Sequence, residues 1–216
     1  MIDIDSEIEA VQREVSEGSV PAGVGHSVFL RRDYDAPIDD VWDALTNPER
    51  IGRWFLPVSG DYRLGGRYQF KGNAGGEILA CERPHRLRAT WEFGEMSDGP
   101  SASEIEVRLS TVDGGATRLE LEHTAVVPDE MWAEFGPGAV GVGWEGGLLG
   151  LALHLRGGSV GDPIAWQLSA EGREFATRGS EAWGQANQAA GADPELAARG
   201  VANTTAFYAP DPETAT

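Results

Sequence analysis

The apolar positions change period several times along the chain. Ile4, Ile8, Val11 and Val15 follow one another at intervals of four, three and four, which predicts a helix over Met1–Glu17. Gly18–Gly23, with Pro21, ends it, and Gly25–Asp35 reads as a strand. Pro37 then opens a helix whose stripe is Ile38, Val41, Trp42 and Leu45, with Asp39 and Asp40 at the positive end of its dipole. Asn47 before Pro48 caps a second short helix running to Trp54-Phe55. From Val58 to Val127 the period falls to two. Val58–Leu64, Arg67–Lys71, Glu77–Glu82, Arg86–Phe93, Ser103–Thr111 and Thr117–Val126 alternate apolar and polar residues. Gly65-Gly66, Asn73–Gly76, Arg83-Pro84-His85, Ser97–Pro100 and Asp113-Gly114-Gly115 supply the turns between them.

After Pro128 the alternation stops. Met131–Phe135 makes one helical turn, and Gly138–Arg156 reads as a long helix with Val140, Trp144, Leu148, Leu151 and Leu155 on one face. Gly157-Gly158 ends it. Asp162–Tyr208 is alanine-rich, carries Trp166, Phe175, Trp183 and Phe207, and predicts two or three helices followed by a frayed tail over Ala209–Thr216.

Charge removes several functions. Of 216 residues, 17 are Lys or Arg and 35 are Asp or Glu, a net charge of −18. Binding to nucleic acid or to an anionic membrane needs basic residues to neutralise phosphates, so neither is expected. The single cysteine, Cys81, excludes an intrachain disulfide and a cysteine-rich zinc site; inside its strand it reads as a small buried hydrophobe. The N-terminus lacks the apolar core of a signal peptide, and the longest apolar run, Gly146–Leu155, is about half a membrane span. These features predict a cytoplasmic chain.

Candidate chemistry is sparse. Gly141-Val-Gly143-Trp-Glu-Gly146 matches the dinucleotide fingerprint GxGxxG, but no strand leads into it, so the glycines read as packing or space beside a helix. His26, His85, His123 and His154 form no metal-binding spacing, and no metal or cofactor is expected. His123 shares parity with Leu119 and Leu121, which predicts an inward-facing histidine, either hydrogen-bonded in the core or set in a cavity. Glu104, Glu106, Glu120 and Glu122 read as a solvated sheet face. No GxSxG nucleophile motif and no catalytic constellation is present.

The aromatic pattern is more informative. Tyr68 and Phe70 share a strand face, as do Leu87, Ala89, Trp91 and Phe93, and Ile105, Val107 and Leu109. Parity therefore collects a large apolar surface under the long helix. Opposite it, Gly143, Gly146, Gly147 and Gly150 supply no side-chain volume, although each helix-interior glycine costs about 1 kcal/mol against alanine. A ligand-sized cavity is expected there.

The order strand, two short helices, six strands, long helix resembles the START-like (Bet v 1-like, SRPBCC) helix-grip fold. Within it the chain is similar to the family of proteins related to the C-terminal domain of the activator of Hsp90 ATPase. The residues that carry this are Ala36–Arg50, Arg53-Trp54-Phe55, Leu64–Phe70, Gly76–Leu79, Pro84–Trp91, Gly115–His123 and Gly143-Trp144. The resemblance implies an α+β domain at 24–158, a seven-stranded antiparallel sheet wrapped on a long helix over a hydrophobic cavity. It leaves 1–23 as an N-terminal helical extension and 159–216 as a C-terminal one, which closes the cavity mouth or makes a homodimer contact. No catalytic residue set comes with it.

The expected function is binding of a small apolar or amphipathic ligand, lined by Trp54, Tyr68, Phe70, Trp91, His123, Trp144, Leu148 and Leu151. Two alternatives follow from kinship: partnership with an Hsp90-type chaperone ATPase, and a cyclase- or hydratase-like enzyme using His123. Binding without catalysis is the preferred expectation.

Overall fold

The computed structural model describes residues 2–94 and 99–210. The expected turn at Ser97–Pro100 and the expected tail at Ala209–Thr216 lie in part outside these residues. In chain order the elements are α1 (Ile4–Glu9), β1 (Gln12–Val20), β2 (Gly23–Tyr34), α2 (Ile38–Thr46), α3 (Pro48–Trp54), β3 (Val58–Gly60), β4 (Arg67–Phe70), β5 (Gly75–Glu82), β6 (Arg86–Thr90), β7 (Ser103–Thr111), β8 (Thr117–Ala125), α4 (Asp129–Phe135), α5 (Gly138–Leu155), α6 (Pro163–Leu168), α7 (Ala170–Ala189) and α8 (Pro194–Tyr208).

The strands form one antiparallel sheet in the order β1-β2-β8-β7-β6-β5-β4-β3. It has eight strands where the sequence predicts seven. The additional one is β1, which replaces most of the helix expected over Met1–Glu17: only Ile4–Glu9 is helical. Val11 and Val15 lie four apart, an interval that suits a helix turn and two strand repeats equally well. A two-residue connection, Pro21-Ala22, folds β1 back onto β2 with Val20 opposite Gly23, and nine paired positions then settle the matter. At the other end of β8, Gly114 and Gly115 take φ of 80° and 84° in the turn from β7, values that Asp113-Gly-Gly supplies without strain.

Three layers result. The inner face of the sheet carries Leu30, Tyr34, Ile78, Ala89, Trp91, Val107, Leu119 and Leu121, all buried. The second layer is α5 with α2 and α3. The third is α7 and α8, whose Phe175, Trp183 and Ala197 are also buried. Because α5 lies between two layers, it is apolar on several faces, Glu145 and His154 being its only ionisable residues, and Leu149 and Leu151, on different faces, are both at 0% exposure. Trp183 sits so close over Gly141 that a Cβ there would lie 2.1 Å from the indole.

The outer sheet face is less solvated than its alternating glutamates suggest. Arg88 donates to Glu104 at 2.5 Å, Arg86 to Glu106 at 3.0 Å, and Arg118 to Asp33 at 2.8 Å, and Glu104 is buried beneath its arginine. Cys81 is exposed and not a core residue. The β5–β6 register shifts between Ile78 and Ala80, which breaks the alternation before Cys81 is reached near the strand end. Phe93 is also exposed, because the β6 ladder has ended at Thr90. No helix among the described residues is long and apolar enough to cross a membrane.

Candidate functional site

Between the sheet and α5 lies an apolar cavity of about 90 Å³. Its floor is β4 to β8, with Tyr68 and Phe70, Ile78, Ala89 and Trp91, Ile105 and Val107, and Leu119 and Leu121. Trp144, Gly147, Leu148 and Leu151 of α5 form the roof; α2, α3 and the chain after it close the end with Leu45, Ile51, Trp54, Phe55 and Tyr62. The aromatics interlock: the Trp91 and Trp144 rings are 4.8 Å apart, Phe70 and Trp91 5.6 Å, and Phe55 meets Phe70 edge-on at 5.0 Å. Several spend their polar atoms on the protein. Tyr68 donates to the Thr90 carbonyl at 2.6 Å, and Trp54 to that of Ala44 at 3.0 Å. What remains facing the hollow is almost entirely carbon.

Seven of the eight residues singled out from sequence line this cavity: Trp54, Tyr68, Phe70, Trp91, Trp144, Leu148 and Leu151. His123 lies elsewhere, in the wall of a second hollow of about 50 Å³ between β2, β8, α4 and the start of α5. There His26 stacks flat on Trp132 at 3.7 Å. Trp144 joins the two hollows by donating its indole N–H to His123 Nδ1 at 2.9 Å. With Nδ1 accepting, the neutral ring carries its proton on Nε2, which meets Ser103 Oγ at 2.8 Å. Burial pushes the imidazole pKa down to about 4, so His123 is neutral with both nitrogens engaged. No ring nitrogen is left to serve as a base.

Sequence parity missed Phe55, which follows α3 directly, and Tyr62: the alternation over Val58–Leu64 predicts a strand through Tyr62, but β3 ends at Gly60 and Tyr62 lies in irregular chain beyond it. It also misplaced the glycines. Only Gly147 borders the sheet-side cavity. Gly143, Gly146 and Gly150 are turned towards a separate groove of about 230 Å³ under the C-terminal helices, lined also by Val160, Trp166, Phe175 and Tyr208. A one-residue offset on a helix rotates a side chain by about 100°, which carries this stripe off the Trp144–Leu148–Leu151 face. Trp54, Phe55 and Gly147 belong to both walls and separate the two spaces.

Among the described residues no group of three or more His, Cys, Asp or Glu side chains is placed to hold a metal.

Residues 35–155 match the family model described as activator of Hsp90 ATPase homolog 1-like protein. The crystal structure of CalU16 from Micromonospora echinospora is 38% identical, over 83% of this chain and 99% of its own, with a TM-score of 0.63. Its solution structure gives 39% identity, 84% and 97% coverage, and a TM-score of 0.66. MLL2253 from Mesorhizobium loti shares the fold at 24% identity, over 61% of this chain and 96% of its own, with a TM-score of 0.51. No curated protein matches the chain. The CalU16 match spans about 179 residues (83% of 216), more than the 121 of the family model, so it takes in part of the additions flanking the core as well.

Proposed function

Because this chain belongs to the activator of Hsp90 ATPase homologue 1-like family of START-like, helix-grip proteins, we propose that it is a cytoplasmic binding protein for a small apolar molecule held between the sheet and α5. The observation that carries the reading is the unfilled hollow of about 90 Å³. Protein interiors are close-packed, and a void of this size forfeits the dispersion contacts its walls would otherwise make. An apolar hollow gives water few hydrogen bonds, whereas an apolar guest recovers the lost contacts.

Gentle native mass spectrometry of protein purified from its own host, followed by denaturing extraction, tests this. A discrete extra mass released on denaturation is expected, and Ala89→Phe, which intrudes on the hollow from β6, is expected to lose it. A bare protein mass, with the same thermal melting of both forms across a panel of small aromatic and aliphatic compounds, overturns the reading.

The family description favours a second reading, partnership with an Hsp90-type ATPase. Stimulation of the cognate chaperone's ATP hydrolysis by saturating protein supports it; an unchanged rate removes it.

A further inference from the structure

Of the residues that α5 brings to the cavity roof, Trp144 alone has a polar side-chain atom; Gly147, Leu148 and Leu151 bring none. A large ring beside empty space is weakly held by packing, because on that side no atoms meet it. Its χ angles allow several orientations, each of which would give the cavity a different shape. Here the indole N–H selects one, through its 2.9 Å bond to His123 Nδ1. The two rings meet edge to face, 5.8 Å apart at 86°. His123 is held in turn at its other nitrogen, where Nε2 meets Ser103 Oγ at 2.8 Å. That hydroxyl takes the Nε2 proton, which leaves Nδ1 as the bare acceptor the indole needs. The chain of bonds thus runs from β7 through β8 to α5. Its two rings border different spaces, Trp144 the hollow of about 90 Å³ and His123 the one of about 50 Å³.

We infer that His123, steadied by Ser103, is a positioning residue that holds the Trp144 indole as a partition between the two hollows and so restricts the site to ligands of one small ring. This rests on the sheet-side cavity being the binding site. An apolar cavity of roughly 150 Å³ holds benzene. At about 90 Å³, this one has room for a small ring and no more while the indole stays in place. A buried indole N–H without a partner is costly, which keeps the ring where its acceptor is. Released from Nδ1, the indole turns on its own χ angles, and the second hollow lengthens the first. His123 touches no ligand in this arrangement; it acts through Trp144.

Benzene and indene test the assignment, being hydrocarbons of one ring and of two fused rings. Each is titrated calorimetrically into the full chain, into His123→Leu, which removes the acceptor, and into His123→Asn, which offers a carbonyl near the place of Nδ1. The unsubstituted protein is expected to bind benzene at least tenfold more tightly than indene. His123→Leu should cut that preference about tenfold and speed solvent exchange of the Trp144 indole N–H, a resonance identified by its absence from Trp144→Phe. His123→Asn should keep the preference within twofold and the N–H protected. Should His123→Leu not fold, Ser103→Ala serves in its place, with an expected drop in preference of about threefold. A preference for benzene that neither variant lowers, or none in the unsubstituted protein, overturns the partition and leaves the cavity reading standing. Failure of the unsubstituted protein to bind either compound overturns the cavity reading, and the partition with it.

Discussion

His123 shows how far one side chain's surroundings alter its chemistry. Its position on the inner face follows from parity with Leu119 and Leu121, but its partners Ser103 and Trp144 lie 20 and 21 residues away on β7 and α5. No local pattern announces either. Buried and accepting at Nδ1, the ring titrates near 4 in the fold against 6.5 for an ordinary histidine. The unfolded chain therefore takes up the proton first as pH falls. The stabilisation is complete above about pH 6.5 and disappears progressively towards pH 4, to the extent of about 3 kcal/mol. Urea unfolding between pH 7 and 4 should show a steeper loss of stability for the unsubstituted protein than for His123→Gln, by about that amount. Parallel pH profiles would assign the acid sensitivity to the carboxylates alone.

Among the elements, α5 carries the sharpest contrast between positions of the same type. Its extent, Gly138–Leu155, is readable from the sequence; the meaning of its glycines is not, because that depends on what packs against each one. Gly150 passes so close to α3 that a Cβ would stand 2.4 Å from the Trp54 carbonyl oxygen, whereas Gly146 has nothing within 4 Å. Replacing either by alanine gains about 1 kcal/mol of helix propensity. Gly146→Ala should realise up to that gain, and Gly150→Ala should lose stability overall, as read from the midpoints of urea unfolding. If both substitutions stabilised the protein, α3 would have to move away from α5 at little cost. The GxGxxG spacing has its physical origin here as well: Gly141 lies under Trp183 and Gly143 beside Tyr208, so these two positions admit α7 and α8 where a nucleotide-binding turn would admit phosphate.

At the scale of the whole molecule, the N-terminal segment is tied to β2 and α5 by ion pairs. Arg13 of β1 reaches Glu145 of α5 with two hydrogen bonds, at 2.5 and 3.0 Å, and neither side chain is more than 9% exposed. Burial pushes the Glu145 carboxyl pKa up, and the Arg13 guanidinium recovers only part of the shift. Nearby, Glu7 of α1 pairs with Arg32 of β2 and with Arg156 at the end of α5. There burial acts in the same direction, but the two guanidiniums outweigh it and hold Glu7 below the usual carboxylate range. Breaking a buried pair from one side is costly, while removing both charges is far less so. Arg13→Met should therefore destabilise the protein by about 3–5 kcal/mol, and Arg13→Met with Glu145→Leu should recover most of it in urea unfolding. A double variant no more stable than the single one would place the cost in the packing of β1, not in the stranded charge.

The helices α2, α3 and α5, the strands from β2 to β8 and the apolar face beneath α5 were legible in the sequence, because period, caps and turn residues are local and the side-chain parity of a strand is fixed by its pleat. The role of the first twenty residues was not, since the spacing of Val11 and Val15 fits both periods and pairing with β2 decided between them. Nor was the third layer. Alanine-rich helices announce their existence, but that Trp183 and Phe175 complete the core, and that the glycines of α5 face them, depends on how α5 is rotated between two surfaces. The hollow belongs to the same category. Volume left empty is a property of many segments brought together, and only the assembled fold has it.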